Sequence, residues 1–274
     1  LRTIAQTDED LANRPDVKAL RGAASFMLGR YEEAEQFLDD TALNGFSEAE
    51  LWRGAARAAQ GKWDEAVEHF ARAGEIPGGY PRNFTTDLAL LAAEAAILAG
   101  DYRGAGAYLD VIAEEAPTPS EAARIDFLRG RVLSAFGDED AALDIWRRLA
   151  DGEDRWARVR SERALIEHDL EKGVISSDQA ADSLDQLRYA WRGDRLEFEL
   201  LRELGRLRLK EDDFEEGLEA LRQAVTFFPN NPETRAVAEE LTQGFSDIFT
   251  RGASDAMTPL QALALYDQFR ELTP

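Results

Sequence analysis

Residues 61–73 read GKWDEAVEHFARA. Four further segments are written to the same plan: GRYEEAEQFLDDT from Gly29, GDYRGAGAYLDVI from Gly100, GDEDAALDIWRRL from Gly137 and DDFEEGLEALRQA from Asp212. Each opens on a turn residue. An aromatic follows two positions on (Tyr31, Trp63, Tyr102, Phe214, with Glu139 in the fourth segment), and a small residue five positions on (Ala34, Ala66, Ala105, Ala142, Gly217). A bulky residue comes nine positions on (Leu38, Phe70, Leu109, Trp146, Leu221), and another small one lies seven positions before the start (Gly22, Gly54, Ala93, Gly130, Gly205).

Two helices joined by a tight turn produce this pattern. They pack closely only if small side chains meet where they cross. The turn glycine takes the left-handed backbone that ends the first helix, and Asp101 or Asp138 can cap the second. The aromatic and the bulky residue then wedge between neighbouring hairpins. Pro77, Pro117, Pro229 and Pro274 mark unit ends, where a proline stops a helix. No stretch shows strand alternation.

The pattern resembles the tetratricopeptide repeat family, whose unit is a helix–turn–helix of about 34 residues. The residues that carry the likeness are Gly22, Gly29, Tyr31 and Ala34; Gly54, Gly61, Trp63, Ala66, Phe70 and Ala73; Gly100, Tyr102, Ala105 and Pro117; Gly130, Gly137, Ala142 and Trp146; and Leu204, Gly205, Phe214, Ala224 and Pro229. The resemblance implies an all-α solenoid, a right-handed superhelix of about six to seven irregular units. Its units fall near 15–42, 47–76, 84–117, 121–151, 155–192, 196–229 and 232–274, in one domain over 1–274. The unit at 155–192 is degenerate, with the turn EKGVISSD and Ala180 or Ala181 in the small position. Linker candidates are 74–83, this turn, and the loop TRGASDAMT, none long enough to separate independent domains. Stacked repeats share a continuous core.

Composition limits the partners. Lys plus Arg is 32 and Asp plus Glu 54, a net charge of −22, which repels phosphate backbones and anionic lipid surfaces. Nucleic acid is therefore an unfavoured partner and a basic protein face a favoured one. The longest apolar run, LALLAAEAAILAG at 88–100, is too short to span a membrane and carries Glu94. With no cysteine, disulfides and thiolate chemistry are excluded. The chain opens on Leu1, so the lack of a signal-peptide pattern does not argue against export. Long bacterial proteins of the family are often exported, which puts the periplasm ahead of the cytoplasm.

The sequence offers no enzyme signature and implies no cofactor and no metal. His69 and His168 are the two histidines. Glu167 and Asp169 flank His168, but helix neighbours point about 100° apart and do not converge on a metal. GAARAAQGKW at 54–63 has the wrong spacing for a phosphate loop, and Trp63 stands where a magnesium-binding hydroxyl belongs. The five tryptophans, Trp52, Trp63, Trp146, Trp156 and Trp191, are expected in the core between hairpins. The expected function is that of a non-enzymatic scaffold binding a protein or peptide in its groove; the alternative is an architectural spacer without a ligand.

One set of residues suggests where a partner would bind. In such solenoids the first helix of each pair lines the concave face. Arg124 and Arg131 are seven apart on one first helix; Arg202, Arg206 and Lys210 follow at four and four on another. A row of cations in a groove would attract an acidic segment, unless carboxylates such as Glu199 and Glu203 on the same helix already satisfy them. The Asn that accompanies Lys in the family's best-known carboxylate-binding groove is missing from these helices, so that chaperone-tail function is not implied. At the C-terminal end, Leu263, Leu265, Tyr266 and Phe269 are expected to leave a stacking surface uncovered, open to a further repeat or to self-association.

Overall fold

The computed structural model describes residues 9–74, 80–252, 254 and 257–273. Pro77 and Pro274, the linker residues 75–79, and positions 253, 255 and 256 of the last loop lie outside the described residues. Among the described residues, a short turn of helix at Glu9–Ala12 is followed by fourteen α-helices arranged as seven hairpins. They are α1 (Pro15–Met27) with α2 (Tyr31–Leu38), α3 (Ser47–Ala59) with α4 (Trp63–Ala73), α5 (Arg82–Leu98) with α6 (Tyr102–Ala113), and α7 (Pro119–Ala135) with α8 (Glu139–Ala150). Then come α9 (Arg155–Glu171) with α10 (Ser177–Ala190), α11 (Arg195–Lys210) with α12 (Phe214–Phe227), and α13 (Thr234–Thr250) with α14 (Pro259–Gln268). Among the described residues there is no strand, and the fold is all-α.

The repeated motif lies at each hairpin turn. Gly29, Gly61, Gly100 and Gly137 have φ between 71° and 86°, and Asp212 takes the same left-handed backbone at 62° in the fifth copy. Aspartate is among the few residues with a side chain that tolerate this region. Asp101 accepts from the Gly104 amide at 2.9 Å and caps α6. Reciprocal Thr118–Glu121, Ser176–Gln179 and Thr258–Gln261 capping boxes start α7, α10 and α14. The crossing residues Ala34, Ala66, Ala105 and Ala142 are all 0% exposed, and the bulky set Leu38, Phe70, Leu109, Trp146 and Leu221 is buried with them. The predicted degenerate unit is formed by α9 and α10, with Ala180 and Ala181 fully buried.

Contacts divide the chain into two compact units, Leu1–Ile145 and Trp146–Pro274. In the first, α3 is enclosed almost all round, so that nine of its thirteen residues are buried. Phe26, Trp52 and Phe84 tie α1, α3 and α5 together ring to ring, with centroids 5.6 and 5.8 Å apart. Below them sits a buried charge. The Arg53 side chain donates to the carbonyl oxygen of Leu38, the last residue of α2 (2.8 Å), to that of Asp40 (3.1 Å), and to Glu50 Oε1 at 2.6 Å. Glu50 also meets His69 Nδ1 at 2.7 Å.

In the second unit Phe198 and Leu201 of α11, Leu218 and Leu221 of α12, and Val237, Leu241, Phe245 and Ile248 of α13 form one cluster that continues into Leu265 and Phe269. Two of the four residues expected to be uncovered at this end are therefore core. Phe269 is 0% exposed, because α14 turns it inward against this cluster with the Arg222 guanidinium stacked on its ring. Leu263 and Tyr266 are exposed, at 64% and 43%. Of the tryptophans, Trp52 and Trp146 are buried, while Trp63, Trp156 and Trp191 are half-buried.

Candidate partner-binding site

The candidate cations sit on first helices. Arg124 and Arg131 belong to α7 in the first unit; both are half-buried and both engage other groups of the chain. Arg202, Arg206 and Lys210 belong to α11 in the second unit.

On α11 the arrangement is a set of ion pairs between neighbouring first helices. Arg206 grips Glu240 of α13 with two parallel bonds, Nε to Oε2 at 2.9 Å and Nη2 to Oε1 at 2.7 Å. Arg202 shares the same carboxylate, Nε to Oε1 at 3.1 Å, and also pairs with Glu233. Such forked guanidinium–carboxylate pairs are the strongest and most geometrically specific of their kind. Burial works against the Glu240 charge, but Arg202 and Arg206 outweigh it and hold the carboxyl below its usual range. The Arg206 side chain remains 56% exposed, against 19% for Arg202. Arg206, Leu209, Leu221, Ala236, Glu240 and Gln243 line a surface depression between α11, α12 and α13.

Lys210 points elsewhere. Its ammonium donates to Ser177 Oγ of α10 at 3.1 Å. Each four-residue step on a helix turns about 40° past a full circle, so two steps swing Lys210 away from the side that meets α13.

The same-helix carboxylates are not the partners of Arg202 and Arg206. Glu199 and Glu203 meet Arg163 of α9, Glu199 by a short hydrogen bond and Glu203 at 3.3 Å; Glu167 joins from α9 at 2.7 Å, and Arg195 reaches Glu199 at 2.6 Å. Burial favours the neutral guanidine, yet these charges outweigh it and hold Arg163 protonated. The two α11 carboxyls diverge. Burial opposes ionisation of Glu199, but Arg195 and Arg163 overcome it and lower its pKa. Glu203 is raised by its partial burial and by repulsion from Glu167, which outweigh the Arg163 guanidinium at 3.3 Å. No local spacing announces Glu240, Glu233 or Arg163, which lie one repeat away in sequence.

Among the described residues no group of three or more His, Asp or Glu side chains is placed to hold a metal ion. No helix of the described residues is long and apolar enough to cross a membrane.

Residues 48–75, the α3–α4 hairpin, match the tetratricopeptide repeat. No curated protein sequence matches the chain. Among solved structures it is similar to the crystal structure of NprR in complex with its cognate peptide NprX, with TM-score 0.64 and 13% identity over 94% of this chain and 79% of that one. It is also similar to the apo form of the quorum sensor NprR from B. thuringiensis, with TM-score 0.58 and 12% identity over 99% of this chain and 86% of that one. The chain is an all-α protein of repeated helix hairpins, one of which matches the tetratricopeptide repeat.

Proposed function

We propose that this chain is a non-catalytic interaction module that binds a peptide or protein segment along the face of its first helices. Support comes from the repeat itself and from the likeness to NprR, solved in complex with its cognate peptide NprX. The observation that carries the reading is Arg206, whose side chain stays 56% exposed at the edge of a depression although it shares the Glu240 carboxylate with Arg202. Arg202 is paired with Glu233 as well, so an acidic segment would meet the open edge of the Arg206 guanidinium, with Leu209 and Ala236 as apolar floor. Arg124 and Arg131 offer the same chemistry on α7, and Lys210 a weaker one at the far end of α11.

Calorimetric titration with a glutamate-rich peptide tests this. Binding should weaken on Arg202→Glu and Arg206→Glu and with added salt, since exposed charges are screened beyond about 8 Å at physiological ionic strength. Binding insensitive to both changes overturns the reading. The internal pairing of Arg202, Arg206 and Lys210 favours a second reading, an architectural spacer, for which no acidic or other peptide binds at all. Self-association through the C-terminal end is a further partner reading, checked by the oligomeric state of the chain.

A further inference from the structure

One turn before Arg206 on α11 stands a carboxylate that its surroundings leave short of positive charge. Glu203 lies three residues earlier in sequence, on the same side of the helix. The cation that reaches it is Arg163 of α9, at 3.3 Å. That guanidinium is divided three ways: Nε meets Glu167 at 2.7 Å, Nη1 meets Glu199, and Nη2 is left for Glu203. Glu199 has a second cation in Arg195, at 2.6 Å; among the described residues Glu203 has none.

Three carboxylates around one shared guanidinium repel one another. Burial and the Glu167 charge raise the Glu203 carboxyl in spite of Arg163. Such a group gains from any further positive charge. Its side chain is still 24% exposed, so a cation can reach it from solvent and add to Arg163 without displacing it. Arg206 has the opposite character. Its Nε and Nη2 lie on Glu240, yet 56% of the side chain is exposed, and an arriving carboxylate meets Nη1.

One helix thus sets an acceptor for a cation beside a donor for an anion, with Cβ atoms about 5–6 Å apart. Alternate residues of an extended segment point to the same side about 6–7 Å apart, a matching interval. Net charge favours the same ligand. The chain carries −22, which repels a uniformly acidic segment at a distance; a segment with a cation for each anion avoids that repulsion.

We propose that the segment bound on α11 carries both signs, a carboxylate two residues from an ammonium or guanidinium, and that Glu203 selects it by taking the cation while Arg206 takes the anion. The inference rests on α11 being the peptide face and specifies the ligand of that face.

The test titrates the whole chain calorimetrically with three capped peptides, built from repeated Glu-Ser-Lys-Ser, Glu-Lys-Ser-Ser and Glu-Ser-Gln-Ser. The first puts opposite charges on one side of an extended strand. The second has the same composition and net charge but puts them on opposite sides. The third lacks the cation. The first peptide should bind at least about fivefold more tightly than the second, a comparison that needs no variant. Glu203→Gln should remove this preference without weakening the third peptide, and Arg206→Gln should weaken all three. Glutamine keeps the size of glutamate, and the urea midpoint of each variant reports an intact fold. Equal binding of the first two peptides, or a preference that survives Glu203→Gln, overturns the two-sign ligand but leaves α11 as the peptide face where Arg206→Gln still weakens binding. No binding of any peptide, or binding indifferent to Arg206→Gln, overturns both.

Discussion

A Cβ placed on Gly205 would stand 2.6 Å from Cγ of Leu221 and 2.9 Å from the carbonyl oxygen of Gly217. The same pair recurs as Gly22 under Leu38, at 2.4 Å, and Gly54 under Phe70, at 2.9 Å. In these three copies the small residue seven before the turn and the bulky residue nine after it are therefore one contact, repeated. Gly205→Ala should cost about 1–3 kcal/mol by overpacking, because a backbone oxygen cannot step aside as a side chain can. Ala66→Leu, at a position with 0% exposure, should cost a similar amount. Denaturant midpoints check both; unchanged values would mean the hairpin crossings are looser than these distances.

Arg53 is 6% exposed and satisfies two carbonyl groups and a buried carboxylate. Arg53→Ala removes all three bonds and leaves the buried Glu50 with His69 at 2.7 Å and the exposed Arg72 at 3.5 Å. A loss of about 3–5 kcal/mol is expected, the usual result of breaking one half of a buried pair. The double variant Arg53→Met/Glu50→Leu should recover much of it, and thermal unfolding of the three proteins decides the matter.

Glu199 and Glu203 should respond to pH with opposite signs. A carboxyl with a lowered folded pKa contributes stability above its ordinary pKa and loses it as pH falls through the folded value. Glu199→Gln should therefore destabilise at neutral pH, with the gap closing only in acid. Glu203 is raised, so its ionised form costs stability at neutral pH and the cost is relieved as pH falls through its folded pKa toward the ordinary range. Glu203→Gln should stabilise at neutral pH and match the parent protein in acid. Urea unfolding at a series of pH values separates the two.

Glu240→Gln releases Arg202 and Arg206 from their shared carboxylate. If an acidic segment binds this face, the variant should bind it more tightly and with a steeper salt dependence, while losing some stability where α11 meets α13. A peptide affinity that does not rise on this change counts against the face as the site.

The hairpins were legible in the sequence because their determinants are local. Gly61, Trp63, Ala66 and Phe70 lie within ten residues, and each position does its work inside its own hairpin or the next. Spacing alone points to a degenerate unit at 155–192, a span in which the structure has the helices α9 and α10. The charge pattern was less legible. Arg202, Arg206 and Lys210 share a period, but the advance of the helix carries Lys210 to Ser177 of α10. The carboxylates that meet the arginines, Glu240 and Glu233, belong to the following hairpin, where only a register between first helices could have found them. At the last hairpin, composition marks Phe269 as an apolar residue near an end, whereas the turn after α14 makes it core.

The helices in substantial contact among the described residues are neighbours in sequence or separated by one helix. Loops that must close during folding are correspondingly short, and chains of such low contact order fold quickly. Nucleation at a tightly packed hairpin such as α3–α4 or α11–α12 can spread to the adjoining ones without waiting for a distant segment. Loss of structure should travel by the same route. A hairpin weakened at its crossing, as by Gly205→Ala, should give up its amide protection together with its immediate neighbours, well before the hairpins around Trp52 exchange.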